Sequence, residues 1–243
     1  WRATVGYYNR CDHVISPTFS LAYELKEHGL RVPYTVLPNA IDTNEFCPSH
    51  DELEREQLRA RLGIGRAAYV YLGRLSYEKS IDQVLDAFNQ AAQTQPELQL
   101  IVVGDGPERS ELEKIASSLA SKDRIRFTGF LFGRPLVEML QACSGIVTAS
   151  KSENMPLAIL EGMACGLPVI AASSLGLSEI VVDGGNGYLV PPDSPSEIAK
   201  RMLEMAHGGE QITRFATMSR MLSMRYSEDE VVHGLESVYR GVI

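Results

Sequence analysis

The fold is decided by residues 150–170, which read SKSENMPLAILEGMACGLPVI. The apolar run before them, residues 145–149, is typical of a strand, and Pro156 suits the first position of a helix because its φ is already helical. Gly166 stands where a helix C-terminus is expected, and residues 167–172 are apolar enough for the next buried strand. The sequence therefore predicts a strand, a polar turn, a helix and a second strand.

The turn and the helix carry two carboxylates, Glu153 and Glu161. A helix that begins at the carboxyl end of a parallel strand presents unpaired N–H groups and a positive dipole end, which favour a phosphate. Carboxylates beside an anion site fit a ligand that also carries hydroxyl groups, as a ribose or a pyranose does. The pattern therefore favours a site for a phosphorylated sugar compound.

This stretch resembles the signature of the retaining GT-B glycosyltransferases of the GT4 family (glycosyl transferases group 1). In that family two glutamates separated by seven residues precede a small-residue helix and Gly-x-Pro-Val, as Glu153, Glu161 and residues 163–170 do here. Residues 154–156, Asn-Met-Pro, stand where Gly-aromatic-Gly is frequent. Since Pro156 has no N–H, a donor contact made by that amide in other members is absent here.

A second turn of the same kind follows the apolar run 69–72, and residues 73–80 read GRLSYEKS. Ser80 and Gln83 have the spacing of a capping box. The helix that we expect after them has an apolar face formed by Ile81, Val84, Leu85 and Phe88. The octet resembles the family's Gly-Arg-Leu and Glu-Lys-Gly elements, whose Arg and Lys bind the donor diphosphate. Two cations at this turn would neutralise a diphosphate and stabilise it as a leaving group.

The same octet differs in one residue from a P-loop, Gly-x-x-x-x-Gly-Lys-Ser, and residues 100–105 have the pattern of a Walker B strand. Its sixth position is Glu78, where a P-loop needs glycine to wrap backbone N–H groups around a phosphate. A P-loop NTPase, which would need Mg²⁺ and release phosphate from ATP or GTP, is therefore the weaker interpretation.

Two more segments enter the site through the resemblance. Residues 125–131 resemble the strand and loop whose backbone reads the nucleotide base, and Glu179 is either a site residue or a charge that compensates the N-terminus of its own helix. The resemblance implies that Arg74 and Lys79 hold the diphosphate, Glu161 the ribose and Glu153 the donor sugar. The predicted catalytic residues are Glu153, Arg74 and Lys79, and the predicted donor-binding residues are Gly73, Arg74, Lys79, Gly129, Phe130, Leu131, Glu153, Met155, Pro156, Leu157 and Glu161.

Composition narrows the class of protein. The 243 residues include 23 basic and 31 acidic side chains, and the net charge of −8 argues against broad nucleic-acid binding. The four cysteines form no Cys-x-x-Cys pair and do not cluster with the five histidines, so we expect a reduced cytoplasmic protein. There is no Asp-x-Asp motif. We therefore expect no metal and no cofactor besides a nucleotide-sugar donor, with a UDP-sugar as the first choice. No apolar run has the length of a membrane span, and no signal peptide is visible.

The resemblance also implies a domain division. Residues 1–40, in which Ser16-Pro17 is typical of a helix start, resemble the strand, helix and strand that close the N-terminal acceptor domain of the family. We expect them to be the edge of such a domain, most of which is missing from this chain. Residues 41–243 would form the linker and a C-terminal nucleotide-sugar-binding domain with a terminal crossover helix. The apolar stripe of that helix is a candidate contact for a partner chain, as in a homo-oligomer, and comprises Val231, Leu235, Val238 and Val242.

The sequence thus predicts an α/β protein with a doubly wound, Rossmann-like parallel sheet. By resemblance it is the donor-binding part of a glycosyltransferase that transfers a sugar with retention to an acceptor that is a sugar, a lipid or a protein. We expect the chain alone to be weakly active or inactive, and the missing domain to offer a peripheral contact with the cytoplasmic face of a membrane. The alternatives are a sugar-nucleotide epimerase or phosphorylase of the same fold, and a noncatalytic nucleotide-sugar-binding or scaffold module.

Overall fold

In a computed structural model, the chain is described over residues 1–242, the side chain of Val242 excepted, so this position of the predicted apolar stripe lies outside the description. The strands within that range are β1 Val14–Ser16, β2 Tyr34–Val36, β3 Ala68–Leu72, β4 Gln99–Val103, β5 Ile125–Gly129, β6 Gly145–Thr148, β7 Val169–Ala172 and β8 Gly187–Val190. The helices are α1 Arg2–Tyr8, α2 Phe19–Glu27, α3 Glu52–Leu62, α4 Ile81–Thr94, α5 Arg109–Ser118, α6 Arg134–Ala142, α7 Leu157–Ala164, α8 Leu177–Ile180, α9 Pro195–Ala206, α10 Glu210–Ser223 and α11 Glu228–Val242.

The larger sheet is parallel and has the strand order β5-β4-β3-β6-β7-β8. From β3 the chain builds outward in one direction to β5, then returns to β6 beside β3 and builds outward in the other direction. This is the predicted doubly wound fold, and its topological switch point lies between β3 and β6. The strands β1 and β2 pair in parallel in a separate two-stranded sheet.

Both faces of the larger sheet are covered. Successive side chains of a strand point to opposite faces, so Tyr69 and Tyr71 of β3 belong to the core formed with α4, α5 and α9. Val70, between them, belongs to the core formed with α3, α6 and α7. Burial on both faces explains why the strands read as continuous apolar runs in the sequence.

The start of α4 differs in part from the prediction. All four residues of its expected apolar face are buried, but Ser80 makes no side-chain cap hydrogen bond. Its φ of 50° and ψ of 46° are left-handed, whereas a capping serine needs an extended backbone. The cause is the 3₁₀ turn Tyr77–Lys79, which runs directly into α4 with Ser80 as the only residue between them. The predicted capping box is therefore wrong, and the Gln83 side-chain amide donates to Asp193 Oδ1 at 2.6 Å instead.

The ends of α7 are close to those expected. Pro156 is the N-cap residue and not the first helical residue, and its carbonyl accepts hydrogen bonds from the backbone N–H of Ile159 at 3.0 Å. Gly166 has a φ of +79° and follows the last turn, and the N–H of Leu167 donates to Gly162 O at 2.9 Å. Gly166 thus supplies the left-handed C-terminal turn that the sequence predicts.

One other helix start, that of α2, corrects the sequence interpretation. Ser16 ends β1, and the residue that caps α2 is Thr18, whose Oγ1 accepts from Leu21 N at 3.3 Å. The shift arises because the parallel pairing of β1 with β2 extends through Ser16.

The segments before and after the larger sheet meet. Ile41 N donates to Tyr226 O at 2.8 Å, and Ile41 forms an isolated parallel bridge with Ser227. Beyond this point α11 packs near β2, since a Cβ atom added to Gly234 would lie 2.6 Å from Leu37 Cδ1. The domain boundaries expected from the sequence stay a prediction.

Candidate functional site

The loops that follow β3 and β6 meet at the switch point, at the carboxyl ends of their strands. A pocket of about 310 Å³ lies between them and reaches the start of α7. Seven of the predicted site residues line it, namely Gly73, Arg74, Lys79, Glu153, Met155, Pro156 and Leu157. The four others, Gly129, Phe130, Leu131 and Glu161, lie outside its lining.

Lys79 and Glu153 join the two loops. Lys79 Nζ donates to Glu153 Oε1 at 2.7 Å, and the two side chains are only 22% and 13% exposed. The hydroxyl of Ser150, which is fully buried, donates to Glu78 O at 3.4 Å. Arg74 is exposed and makes no ion pair within residues 1–242. The pocket therefore contains one cation that is largely buried and paired, Lys79, and one at its edge that is exposed and unpaired, Arg74.

The octet 73–80 does not form a P-loop. Residues Tyr77–Lys79 make a 3₁₀ turn, and the Glu78 carboxylate accepts from Ser76 Oγ at 2.7 Å. This hydrogen bond, together with one from its own backbone N–H, lowers the pKa of Glu78 below its usual range. Asp105, at the Walker B position, is bound instead to Arg109 Nη1 at 2.8 Å. The backbone N–H cradle of a P-loop is absent from this octet.

Two glycines of the loop that follows β4 pack closely against the octet. The backbone N–H of Leu75 donates to a backbone carbonyl of that loop, Asp105 O, at 2.9 Å. A Cβ atom on Gly104 would lie 1.9 Å from Gly73 O, and one on Gly106 would lie 2.2 Å from Leu75 O. Turn geometry alone would be enough to explain a Gly-x-Gly pattern at these two positions in the sequence. The structure gives a stronger reason, since no larger residue fits between the two backbones.

Tyr71 supports the octet 73–80 through its buried side chain. Its side chain is 2% exposed, and its hydroxyl donates to Arg74 O at 3.0 Å. Burial raises the pKa of Tyr71 far above its usual value, and the negative charges of Glu153 and Glu78 add to the effect. The phenol therefore stays protonated and acts as a hydrogen-bond donor. Sequence reasoning missed Tyr71, which reads as an ordinary strand residue.

The loop of Glu153 is held by segments that are distant in sequence. Gly176 N donates to Glu153 O at 3.1 Å, and a Cβ atom on Gly176 would lie 1.9 Å from Asn154 O. On the other side, the backbone N–H of Asn39 approaches Met155 Sδ at 3.2 Å. No local pattern in the sequence indicates that Gly176 or Asn39 belongs to the site.

Glu161 lies in the second turn of α7. Burial raises the pKa of its carboxyl, and the nearby negative charge of Glu45 raises it further. Phe130 belongs to another part of the surface, where it stacks on Phe132 with ring centroids 5.8 Å apart. Both rings are largely exposed, at 59% and 74%. These residues offer a carboxyl group and an aromatic surface, but the structure does not bring them into the pocket.

Glu179 lies in the first turn of α8, and its carboxylate is hydrogen-bonded to the N-terminus of another helix. Its Oε2 accepts from Phe19 N at 2.9 Å and its Oε1 from Ser20 N at 2.8 Å, so it binds the N-terminus of α2. The carboxylate thus compensates a helix N-terminus, as one of the two sequence interpretations expected, and the hydrogen-bonded helix is α2. The reason is that α8 is only four residues long, so its third residue reaches a longer helix packed beside it.

Within residues 1–242, no group of three or more His, Cys, Asp and Glu side chains could hold a metal ion. None of the helices in this range combines the length and the apolar character needed to cross a bilayer.

Known proteins resemble this chain over most of its length. The sequence profile of the family described as "Glycosyl transferases group 1" matches residues 54–220. Alpha-monoglucosyldiacylglycerol synthase from Streptococcus pneumoniae is 32% identical over 187 residues, which are 76% of this chain and 42% of that protein. Alpha-D-kanosaminyltransferase from Streptomyces kanamyceticus is 28% identical over 202 residues, which are 82% of this chain and 52% of that protein. The chain thus spans about half the length of these relatives.

Solved structures give the same result. HepE from Anabaena, crystallised with UDP and glucose, superposes on 99% of this chain with a TM-score of 0.89 and 25% identity, over 66% of its own length. The C-terminal domain of a group 1 glycosyl transferase, LpcC, from Francisella tularensis superposes over its whole length on 78% of this chain, with a TM-score of 0.69 and 26% identity. The fold is therefore of the GT-B type, and the chain belongs to the group 1 (GT4-like) glycosyltransferase family.

Proposed function

We propose that this chain binds a nucleotide-sugar, with a UDP-sugar as the first choice, and acts as the donor-binding part of a retaining, metal-independent glycosyltransferase. The observation that carries the proposal is the convergence of Arg74, Lys79 and Glu153 in one pocket, with Lys79 Nζ 2.7 Å from Glu153 Oε1. The UDP and glucose bound by HepE support the choice of donor class. The domain division at residues 40 and 41 is part of this proposal.

Charge supports binding of a diphosphate in this pocket. Arg74 is exposed at the edge and free to pair with an anion, and Leu157 and Ala158, the first residues of α7, line the same pocket, where a helix N-terminus favours an anion. Lys79 can bind a phosphate while it stays paired with Glu153, because an ammonium group donates three hydrogen bonds. Two cations and a helix end would stabilise the negative charge that builds up on the leaving nucleoside diphosphate.

Glu153 is the group proposed for the donor sugar. Its carboxylate accepts from Lys79, and its remaining acceptor positions are available to sugar hydroxyls. A carboxylate next to the cationic diphosphate site would orient the sugar so that the acceptor attacks from the side of the leaving group, as retention requires. Glu161 is proposed to bind the ribose, and the 129–131 loop to read the base with its backbone.

Titration calorimetry tests the donor site. The chain is titrated with UDP, ADP and GDP and with their glucose derivatives, with and without Mg²⁺. We expect one base to bind independently of Mg²⁺, and we expect Arg74→Ala and Glu161→Ala each to weaken binding by about tenfold, the worth of one hydrogen bond to a charged group. Arg10→Ala, which removes an exposed arginine outside the pocket, is the matched control and should leave affinity unchanged.

Product analysis tests the reaction. We expect slow or no transfer by this chain alone, with a retained anomeric configuration in any product, and faster transfer when the remainder of a full-length family member is joined to residue 1. A new sugar nucleotide would instead indicate an epimerase, and a sugar phosphate a phosphorylase. If the protein binds the donor and its Glu153→Gln variant keeps the cellular role of the wild type, the protein is a noncatalytic module. The acceptor class, membrane contact and self-association through α11 remain parts of the proposal to be tested with the full-length protein.

A further inference from the structure

The N-terminus of α2 lies against α8 and the loop of Glu153. Both carboxylate oxygens of Glu179 are used there: Oε2 accepts from Phe19 N at 2.9 Å, while Oε1 accepts from Ser20 N at 2.8 Å and also from the Ser20 hydroxyl. The residues joined are about 160 positions apart in sequence. A single side chain thus binds three donors at the start of one helix.

Thr18 makes the second connection. Its hydroxyl accepts from Leu21 N at 3.3 Å, as the N-cap of α2, and donates to Asn154 Oδ1 at 2.6 Å. The residue is fully buried, so both the acceptor and the donor capacity of the hydroxyl are used inside the protein. Asn154 directly follows Glu153, and this hydrogen bond fixes the C-terminal side of Glu153.

Glu153 is held from two sides, by the turn before α8 and by α2. Gly176, three residues before Glu179, donates its N–H to Glu153 O at 3.1 Å. The backbone of Glu153 is therefore held by the turn that begins α8, while α2 holds the next residue through Thr18. Since Glu179 fixes α2 to α8, it determines where Thr18 meets Asn154.

The charge of Glu179 is essential to this arrangement. The N-terminus of a helix presents unpaired N–H groups and a positive dipole end, and a carboxylate accepts from several donors at once. A glutamine would offer one acceptor oxygen and would direct its NH₂ group at one of the backbone N–H groups. Glu179→Gln therefore removes part of the contact with little change in side-chain size.

We propose that Glu179 is a positioning residue of the donor site. It holds the N-terminus of α2 in register with α8, and through Thr18 and Asn154 it fixes the loop that presents Glu153 to the donor sugar. The part that concerns the sugar rests on the proposed function, whereas the positioning of the loop does not.

Hydrogen exchange without ligand tests the positioning. In Glu179→Gln we expect faster exchange, by about tenfold, both at residues 18–21 and at Gly176, because Phe19 N and Ser20 N donate to Glu179 and Gly176 N donates to Glu153 O. Asn154→Ala should release the loop and leave residues 18–21 protected. Glu204→Gln, which removes a carboxylate paired with Arg201 at 2.7 Å on α9, is the matched control and should change neither segment. Unchanged exchange at Gly176, whose N–H donates to Glu153 O, in both Glu179→Gln and Asn154→Ala would overturn the proposal.

Nucleotide affinity tests the link to the sugar. We expect Glu179→Gln to bind UDP as the wild type does and to lose several-fold of the additional affinity for UDP-glucose, because Glu153 and not the diphosphate site is displaced. A role in stability alone would leave the ratio of the two affinities at its wild-type value, and that result would overturn the link. Failure of the wild type to bind any nucleotide would contradict the proposed function, while the exchange experiment would still decide the role of Glu179.

Discussion

The two loops of the pocket have the same position in the fold and are held in different ways. The octet after β3 is fixed by backbone packing against the adjacent loop, where Gly104 and Gly106 leave no space for a side chain. The loop after β6 has one such glycine contact, from Gly176, and is otherwise fixed by single hydrogen bonds from distant segments, among them that of Thr18. The first loop carries the proposed diphosphate ligands, and the second carries the proposed sugar ligand.

This difference indicates a division of tasks. Close backbone packing makes the cationic loop rigid, which suits a diphosphate group common to all nucleotide-sugars. Hydrogen bonds from several segments make the position of Glu153 dependent on how α2 and α8 are aligned. Donor sugar binding should therefore respond to the arrangement of the N-terminal residues, while diphosphate binding should not.

The largest expected effect comes from Gly104→Ala. The added methyl group would overlap Gly73 O, 1.9 Å away, at a φ of +137°, so we expect a loss of about 3 kcal/mol in the free energy of unfolding and loss of nucleotide binding. Gly208→Ala, at a φ of +67° with no atom within 4 Å, should cost only about 1 kcal/mol of backbone strain. Urea unfolding measures both, and equal losses would show that packing against the octet is unimportant.

The ion pair between the loops should give the next largest effect. Lys79→Met and Glu153→Gln should each destabilise by about 2 kcal/mol, since each leaves a largely buried charge without its partner. The double variant should be more stable than the sum of the two losses predicts, by about 1 kcal/mol. Strict additivity in urea unfolding would mean that the two side chains do not interact in solution.

Two tyrosines on β3 give a matched pair. Tyr71→Phe loses the hydrogen bond to Arg74 O, and Tyr69→Phe loses one of 2.6 Å to Met202 O at the other end of the strand. Each should cost about 1 kcal/mol of stability. Only Tyr71→Phe should weaken nucleotide binding, by several-fold, because it alone supports the octet. Calorimetry of both variants checks this, and equal nucleotide affinities would remove Tyr71 from the site.

The smallest expected effect concerns Glu161. Burial raises the folded-state pKa of Glu161 above the ordinary value of 4.5. The contribution of this group to stability is therefore favourable at a pH below 4.5 and is lost as the pH rises through the raised pKa. Glu161→Gln should therefore gain thermal stability relative to the wild type from about pH 4 to pH 7, while nucleotide affinity falls. Thermal unfolding across this range measures the trend, and a falling difference would contradict it.

The sequence predicted what local patterns determine. The apolar periodicity of α4 and the Gly166 turn were correct because each depends on neighbouring residues, and the family signature located both loops of the pocket. The capping role of Ser80 was wrong because the preceding 3₁₀ turn forces a left-handed backbone at that residue. The partner of Glu179 could not be predicted, since its charge is visible in the sequence but the helix that it reaches lies about 160 residues away.

The hydrogen bond between Ile41 and Tyr226 has a consequence for the ancestry of such chains. The segments that enter and leave the large sheet do so at one place, joined at 2.8 Å. A unit whose two ends lie together can be excised, exchanged or circularly permuted without disturbing its interior. Gene fusion that joins this unit to a different N-terminal partner would have to preserve this crossing together with the contacts of Thr18 with Asn154 and of Ser20 with Glu179.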